Sequence, residues 1–104
     1  MHLGDEEKRE LLRIARKSVE SIVRGQTMRL PETSSGVLQE PRGAFVTLSG
    51  HGQLRGCIGY TEAVKPLAEV VSEVAAKAAV DDPRFPPVSE GELSEIELDI
   101  SVLS

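Results

Sequence analysis

Side chains that build metal and cofactor sites are scarce in this sequence. Its 104 residues include one cysteine, Cys57, two histidines and no tryptophan. One cysteine cannot form an intrachain disulfide, which excludes a secreted scaffold held by such bonds, and Cys57 with His2 and His51 fits no familiar zinc spacing. Glycine loops of the kind that bind nucleotide phosphates or dinucleotides are also missing. We therefore expect no metal site and no cofactor.

Aromatic residues make up only 3% of the chain, namely Phe45, Tyr60 and Phe85. The formal net charge is −5, and residues 62–104 carry ten acidic side chains against three basic ones. Proteins that bind nucleic acid usually present a basic face with aromatic side chains for stacking. Direct nucleic-acid binding is therefore not expected.

Long apolar runs are absent too. Met1 leads into charged residues without an apolar leader, and the alanine-rich stretch near residue 75 is interrupted by Glu69, Glu73 and Lys77. Such a pattern favours a cytoplasmic protein without a membrane segment. A chain of this length can bury one modest core, so we expect a single domain over residues 1–104.

What the sequence does contain is clear helical and strand periodicity. Pro, Ser and Gly concentrate in residues 26–42 and indicate a surface connection, with a short extended piece at residues 37–38. The pattern predicts an α+β fold in the order helix, β-hairpin, helix, strand, with a small mixed sheet covered by two helices. The predicted helices span 5–24 and 65–80, and the predicted strands span 44–48, 53–60 and 96–102.

The run Leu54 to Gly59 is the most distinctive stretch. Strand alternation places Arg55 and Cys57 on one face and Gly56 on the other. A neighbouring cation favours the thiolate, so Cys57 is a candidate nucleophile or ligand contact, and the glycines permit close approach of a ligand. The residues alone favour a different interpretation, in which the cysteine is a small core residue and the glycines allow close packing.

A second run, residues 81–88, is rich in proline and holds Arg84. The prolines stiffen the backbone and fix where Arg84 points, which suits an anion clamp. The alternative is a helix stop in which Arg84 pairs with Asp82 and Phe85 lies in the core. If Arg84 and Arg55 converge, they form a phosphate or carboxylate site. The alternating acids of residues 95–99 are typical of a solvated strand face.

Three segments together, residues 43–48, 54–59 and 82–88, resemble the AMMECR domain, also called AmmeMemoRadiSam system protein A in prokaryotes. The resemblance covers about residues 5–104 and corresponds to the N-terminal half of that domain. It implies one half of a duplicated β/α unit whose repeats share a curved sheet. We therefore expect a truncated domain that leaves one edge and one apolar face of the sheet uncovered and tends to associate, for example as a homo-oligomer.

The resemblance also implies companions, a Memo-type protein and a radical SAM protein, in a modification system whose reaction is not established. With one cysteine, this chain lacks the radical SAM cysteine trio. We expect an accessory domain that binds a ligand or partner through Arg55, Gly56, Gly59 and Arg84. Two alternatives stay open: an enzyme in which Arg55 activates Cys57 as nucleophile or acid, with His51 a weak candidate base, and a structural interaction scaffold.

Overall fold

Helices and strands follow one another in the order that the periodicity predicts, with two short helical segments added. The computed structural model describes residues 3–26, 33 and 35–103. The elements are α1 (Asp5–Val23), α2 (Gly36–Gln39), β1 (Ala44–Gly50), β2 (Gln53–Tyr60), α3 (Leu67–Val80), a 3₁₀ helix (Glu90–Glu95) and β3 (Ile96–Val102). The α+β fold class is confirmed.

The three strands form one sheet in the order β2-β1-β3. Strand β1 lies in the centre and is antiparallel to both neighbours. The sheet is therefore antiparallel throughout, and the expectation of a mixed sheet is wrong. The reason is that the chain leaves β2, crosses through α3 and returns beside β1 instead of beside β2, so the two parallel strands, β2 and β3, are not neighbours.

The hairpin that joins β1 to β2 turns at His51 and Gly52. Both residues have positive φ, 52° and 76°, as a type I′ turn requires, and that turn matches the twist of the strands. Beyond it the pairing shifts between Leu48 and Ser49, because Leu48 pairs with Gly56 while Ser49 pairs with Leu54. This is a β-bulge, and it places one extra residue, Arg55, in β2.

One face of the sheet, the closed face, carries the core. Its β1 side chains Ala44, Val46 and Leu48 are fully buried. Helix α3 packs against β1 and β2, and α1 packs against α3 and β3. Because buried alanines of α3, such as Ala75 and Ala78, have small side chains, the helix backbone can approach the sheet closely.

The other face, the open face, carries side chains that are exposed or half-buried. We expected an apolar uncovered face, but this one is mixed because β1 and β3 alternate apolar closed-face positions with polar ones. Phe45 and Leu54 are 37% and 41% exposed. The register places nine residues on this face: Leu54, Cys57 and Gly59 of β2, Phe45, Thr47 and Ser49 of β1, and Glu97, Asp99 and Ser101 of β3.

Two local predictions need correction. The extended piece expected at residues 37–38 is instead part of the helical turn α2, in which Leu38 is fully buried. Residues 27–32 and 34 of that connection lie outside the described residues. The 3₁₀ helix was not expected. It begins with a capping box between Ser89 and Glu92. No described helix is long and apolar enough to cross a bilayer.

Candidate functional site

The two motifs singled out in the sequence meet along the outer edge of β2. The Cys57 backbone N–H donates to Asp82 Oδ2 at 3.0 Å, and Arg84 Nη2 donates to the Cys57 carbonyl oxygen at 3.4 Å. Cys57 and Arg84, both candidate site residues, are therefore brought together through the backbone of Cys57. We call the pair Asp82 and Arg84 the edge cap.

Asp82 is the centre of this contact, and its side chain is only 2% exposed. Its Oδ1 accepts from the backbone N–H and from Nε of Arg84, at 3.0 and 3.1 Å, and its Oδ2 accepts from Arg84 Nη2 at 2.8 Å. The Arg84 guanidinium, followed by the N–H groups of Cys57 and Arg84, holds the pKa of Asp82 far below its usual range. Asp82 is thus a buried, ionised acceptor whose hydrogen bonds are all charge-assisted.

The contacts of Arg84 agree with the alternative interpretation of its motif, a helix stop in which Arg84 pairs with Asp82. It pairs with Asp82, and its guanidinium carbon lies 5.4 Å from the centroid of the half-buried Phe85 ring. The pairing raises the pKa of Arg84, first through its hydrogen bond to Asp82. The Arg84 side chain is 57% exposed, so the side of its guanidinium away from Asp82 faces solvent.

Arg55 has a carboxylate partner of its own, Glu92 of the 3₁₀ helix. The contact is bidentate, with Nε to Oε2 at 2.8 Å and Nη2 to Oε1 at 3.0 Å. Glu92 Oε1 also accepts from the Ser89 backbone N–H at 3.0 Å. Arg55, and then Ser89, lower the pKa of Glu92 to about 2, and the pKa of Arg55 is raised in return. The pair ties β2 to the 3₁₀ helix.

The bulge separates Arg55 from the cysteine that it was expected to activate. A Cβ added at Gly50 would lie 3.7 Å from Arg55 Cγ and 3.8 Å from Ile96 Cδ1, and Gly50 pairs with the buried Ile96. The stem of Arg55 therefore lies at the end of the closed face, whereas Cys57 lies on the open face. Simple alternation through residues 54–59 does not hold, because the extra residue inverts it.

Cys57 is half-buried, and its sulfur lies 3.3 Å from Oγ1 of Thr47, its cross-strand partner. His51, the candidate base, is at the hairpin tip, where its Nε2 lies 2.9 Å from Oε2 of Glu95. The polar contact of the thiol is thus a hydroxyl, and the imidazole is engaged elsewhere. The arrangement offers a weak thiol–hydroxyl hydrogen bond on an accessible face.

The two glycines of the motif lie where the structure has no space for a side chain. A Cβ at Gly56 would collide with the carbonyl oxygen of Ala78 in α3, and a Cβ at Gly59 would collide with the ring of Phe45. Gly56 therefore lets β2 pack directly on the helix backbone, and Gly59 lets an aromatic ring lie over the strand. A ligand-binding role for either glycine stays a prediction.

Two residues that matter here were not among the candidate site residues, although each left a signal: Glu92 was missed, and Asp82 was expected only as a possible partner of Arg84. Glu92 stands three residues after Ser89, the spacing of a capping box before a helical turn. Asp82 precedes Pro83, and an aspartate there often accepts the N–H two residues on, as Asp82 does from Arg84. Neither signal names the distant partner, Arg55 or Cys57. In the part of the chain that the structure describes, no cluster of metal-ligating side chains occurs.

Comparison with known proteins finds similarity along almost the whole chain. The family model described as AMMECR1 matches residues 12–104. A protein of Methanothermobacter thermautotrophicus is 48% identical over 103 residues, which cover 98% of this chain and 54% of that protein. A Thermococcus onnurineus protein is 47% identical over 100 residues, covering 90% and 49%.

Among solved structures, an uncharacterized protein from Pyrococcus horikoshii superimposes with a TM-score of 0.89 at 37% identity. The match covers 98% of this chain and 53% of that one. The chain thus spans about half the length of the curated relatives and of the solved structure that it matches.

Proposed function

Because the chain belongs to the AMMECR1 family, we propose that it is an accessory domain that binds a partner protein on the open face of its sheet. The system is the AmmeMemoRadiSam type that the family resemblance implies, and the partner is its Memo-type or its radical SAM protein. The observation that carries the proposal is that both motif arginines already hold internal carboxylates, while the open face has exposed apolar groups beside an acidic border on β3.

The internal carboxylates argue against a free anion as the ligand. An incoming phosphate or carboxylate meets guanidinium groups that are already paired with Glu92 or Asp82, and each acid makes several charge-assisted hydrogen bonds. It must either displace one of these acids or bind on the exposed outer side of Arg84, whose charge Asp82 already neutralises. Displacing either leaves a carboxylate partly desolvated without its cation, which is costly. Arg55 and Arg84 therefore support the sheet, and binding is assigned to a surface that they hold in place.

The open face has the composition of a protein contact. Phe45 and Leu54 supply exposed apolar area, Thr47 and Cys57 lie between them, and β3 contributes an acidic border. An apolar centre with a polar rim is typical of protein interfaces, and complementary charge guides the partner. The partner that fits has basic side chains opposite the border formed by Glu97 and Asp99, both of which are exposed.

The test is a charge reversal of that border, Glu97→Lys with Asp99→Lys. Calorimetry with the Memo-type and radical SAM proteins of the same organism identifies which of them the wild-type protein binds. We expect the dissociation constant for that partner to rise at least about tenfold in the double variant. The matched control is Asp5→Lys with Glu6→Lys, which makes the same change of charge on the exposed start of α1.

If both double variants lost affinity equally, the loss would be due to the change of net charge and not to the acidic border. Unchanged affinity, or no binding of the wild-type protein to either candidate, would contradict the proposal. Retention of the far-ultraviolet spectrum in both doubles is the check that the fold persists.

The enzyme alternative has one observation in its favour, since the Cys57 thiol lies half-buried on the accessible face beside a hydroxyl. A catalytic thiol also needs a base, and the imidazole of His51 contacts Glu95. Alkylation of Cys57 that is faster in the native than in the denatured protein would favour the enzyme; protection in the native state would favour the binding domain.

A further inference from the structure

Strand β2 forms an edge of the sheet, and its backbone groups at Cys57 point away from β1. In an antiparallel pair, alternate residues direct their N–H and C=O groups toward the neighbouring strand and away from it. The N–H of Cys57 reaches Asp82 and its C=O reaches Arg84, so this residue belongs to the outward set. Outward groups on an edge strand are a template on which another strand can pair.

The edge cap bonds to both outward backbone groups of Cys57, its N–H and its C=O. A neighbouring strand residue would offer one C=O acceptor and one N–H donor to Cys57. Asp82 Oδ2 supplies the acceptor at 3.0 Å, and Arg84 Nη2 supplies the donor at 3.4 Å. The Asp82 side chain is 2% exposed, so the acceptor is fixed in place and is not a solvated surface group.

The segment that carries the cap cannot serve as a strand itself, because Pro83, Pro86 and Pro87 have no N–H. It is fastened at its far end instead. The Val88 N–H donates to the carbonyl of Ala79 in α3 at 2.8 Å, and Arg55 Nη2 reaches the Pro86 carbonyl oxygen at 3.5 Å. The segment therefore lies along β2 without pairing as a strand, and the side chains of the edge cap bond to the Cys57 backbone instead.

The two edges of the sheet differ in how they resist pairing. The edge strand β3 has the exposed acids Glu97 and Asp99, and like charges brought together on a second copy oppose pairing. The centre of β2, from Gly56 to Gly59, has no charged side chain. The charged residue of β2, Arg55, lies at the bulge outside this stretch and is paired with Glu92. The centre of β2 therefore has no charge to repel a second copy, and another device has to protect it.

We propose that Asp82 and Arg84 are a removable cap that keeps the edge of β2 from pairing with β2 of a second copy of this chain. When the cap opens, two β2 strands join antiparallel about Cys57, and each Cys57 exchanges its N–H and C=O with its counterpart. A second copy fits because this register is two-fold symmetric: it places Cys57 opposite its counterpart and Gly56 opposite Ile58, and it sets each Arg55 opposite Gly59 instead of another charge.

The test follows amide hydrogen exchange at Cys57 and Ile58 in Asp82→Ala. By the same alternation, Ile58 directs its N–H to β1, so it reports the sheet itself, whereas Cys57 reports the cap. At low protein concentration we expect exchange at Cys57 to speed up about tenfold while Ile58 is unchanged. At high concentration we expect dimers by sedimentation, with protection of Cys57 restored.

The matched control is Asp81→Ala, which removes an adjacent but exposed carboxylate and is expected to change neither amide. If Asp82→Ala loses the fold, so that Ile58 exchanges as fast as Cys57, then Asp82→Asn decides, because it keeps the shape and removes the charge. Unchanged exchange at Cys57 overturns the proposal. So does a variant with an exposed Cys57 amide that stays monomeric at all concentrations, and so does loss of the fold in both variants.

Discussion

The two faces of the sheet use the same strands for opposite purposes. On the closed face the β1 residues Val46 and Leu48 are fully buried and α3 approaches so closely that Gly56 has no room for a Cβ. On the open face the neighbouring Phe45 remains 37% exposed, and Thr47 is half-buried. The difference teaches that stability is concentrated on one face, which leaves the other face free to tolerate change.

The strongest way to break this contrast is to add one methyl group on each face. Gly56→Ala forces Cβ into the Ala78 carbonyl, which is helix backbone and cannot rotate away. We expect a loss of about 3 kcal/mol in the free energy of unfolding. At Gly59 the atoms nearest to the added Cβ belong to the Phe45 ring, which can turn toward solvent, so a loss of about 1 kcal/mol is expected for Gly59→Ala.

Urea denaturation of both alanine variants measures these losses. Equal losses at the two glycines would contradict the assignment of stability to the closed face. A larger loss at Gly59 than at Gly56 would reverse it.

A reciprocal exchange of adjacent residues sharpens the contrast. Val46→Thr places a hydroxyl in the fully buried core, where an unpaired polar group costs about 2 kcal/mol of unfolding free energy. Thr47→Val removes a hydroxyl from the open face and suits a strand, so we expect a change within about 0.5 kcal/mol. Thermal unfolding of the two variants measures both changes, and a large loss in Thr47→Val would show that its contact with Cys57 stabilises the fold.

The third comparison, whose main loss is smaller than those of Gly56→Ala and Val46→Thr, concerns the ion pair that joins β2 to the 3₁₀ helix. The folded state lowers the pKa of Glu92 to about 2 from an ordinary 4.5. A depressed carboxyl pKa stabilises the fold above pH 4.5, and that stabilisation is lost as the pH falls toward 2. Because Glu92 is 34% exposed, solvent screens the pair, and we expect Glu92→Gln to cost about 1.5 kcal/mol at neutral pH.

Unfolding free energy measured from pH 6 to pH 2 tests this prediction, since the variant should lose stability less steeply with acid than the wild type does. The matched control is Glu90→Gln in the same 3₁₀ helix. Glu90 pairs with Arg24 at 3.4 Å but its side chain is 71% exposed, so little change is expected. Parallel pH profiles for wild type and Glu92→Gln would refute the role of the Arg55 pair.

Much of the fold could be predicted because the local periodicity of apolar residues indicates where the main helices and strands lie. The apolar spacing of α1 and α3 and the alternation in β3 fixed those elements to within two residues. The pairing of Arg84 with Asp82 was foreseen as an alternative because the residues are two apart. The Arg55–Glu92 pair was not, since 37 positions separate its partners and no local pattern encodes that contact.

The candidate site was harder to predict for a related reason. Alternation assumes a regular strand, and a single inserted residue at Arg55 turns that side chain away from Cys57. A bulge depends on how β1 and β2 pair, which neither strand encodes alone. The ligand and catalytic roles of Arg55, Gly56, Cys57, Gly59 and Arg84 therefore stay predictions, now with known neighbours.

By itself the sequence determined the α+β class, the order of the main elements and the family, because these depend on periodicity and on short motifs read along the chain. Only the tertiary structure decided which strands are neighbours, that Asp82 caps the edge of β2, and that Arg55 and Cys57 lie on different faces. Those features arise from contacts between residues far apart in the chain, where register and packing select among arrangements that the local pattern allows equally.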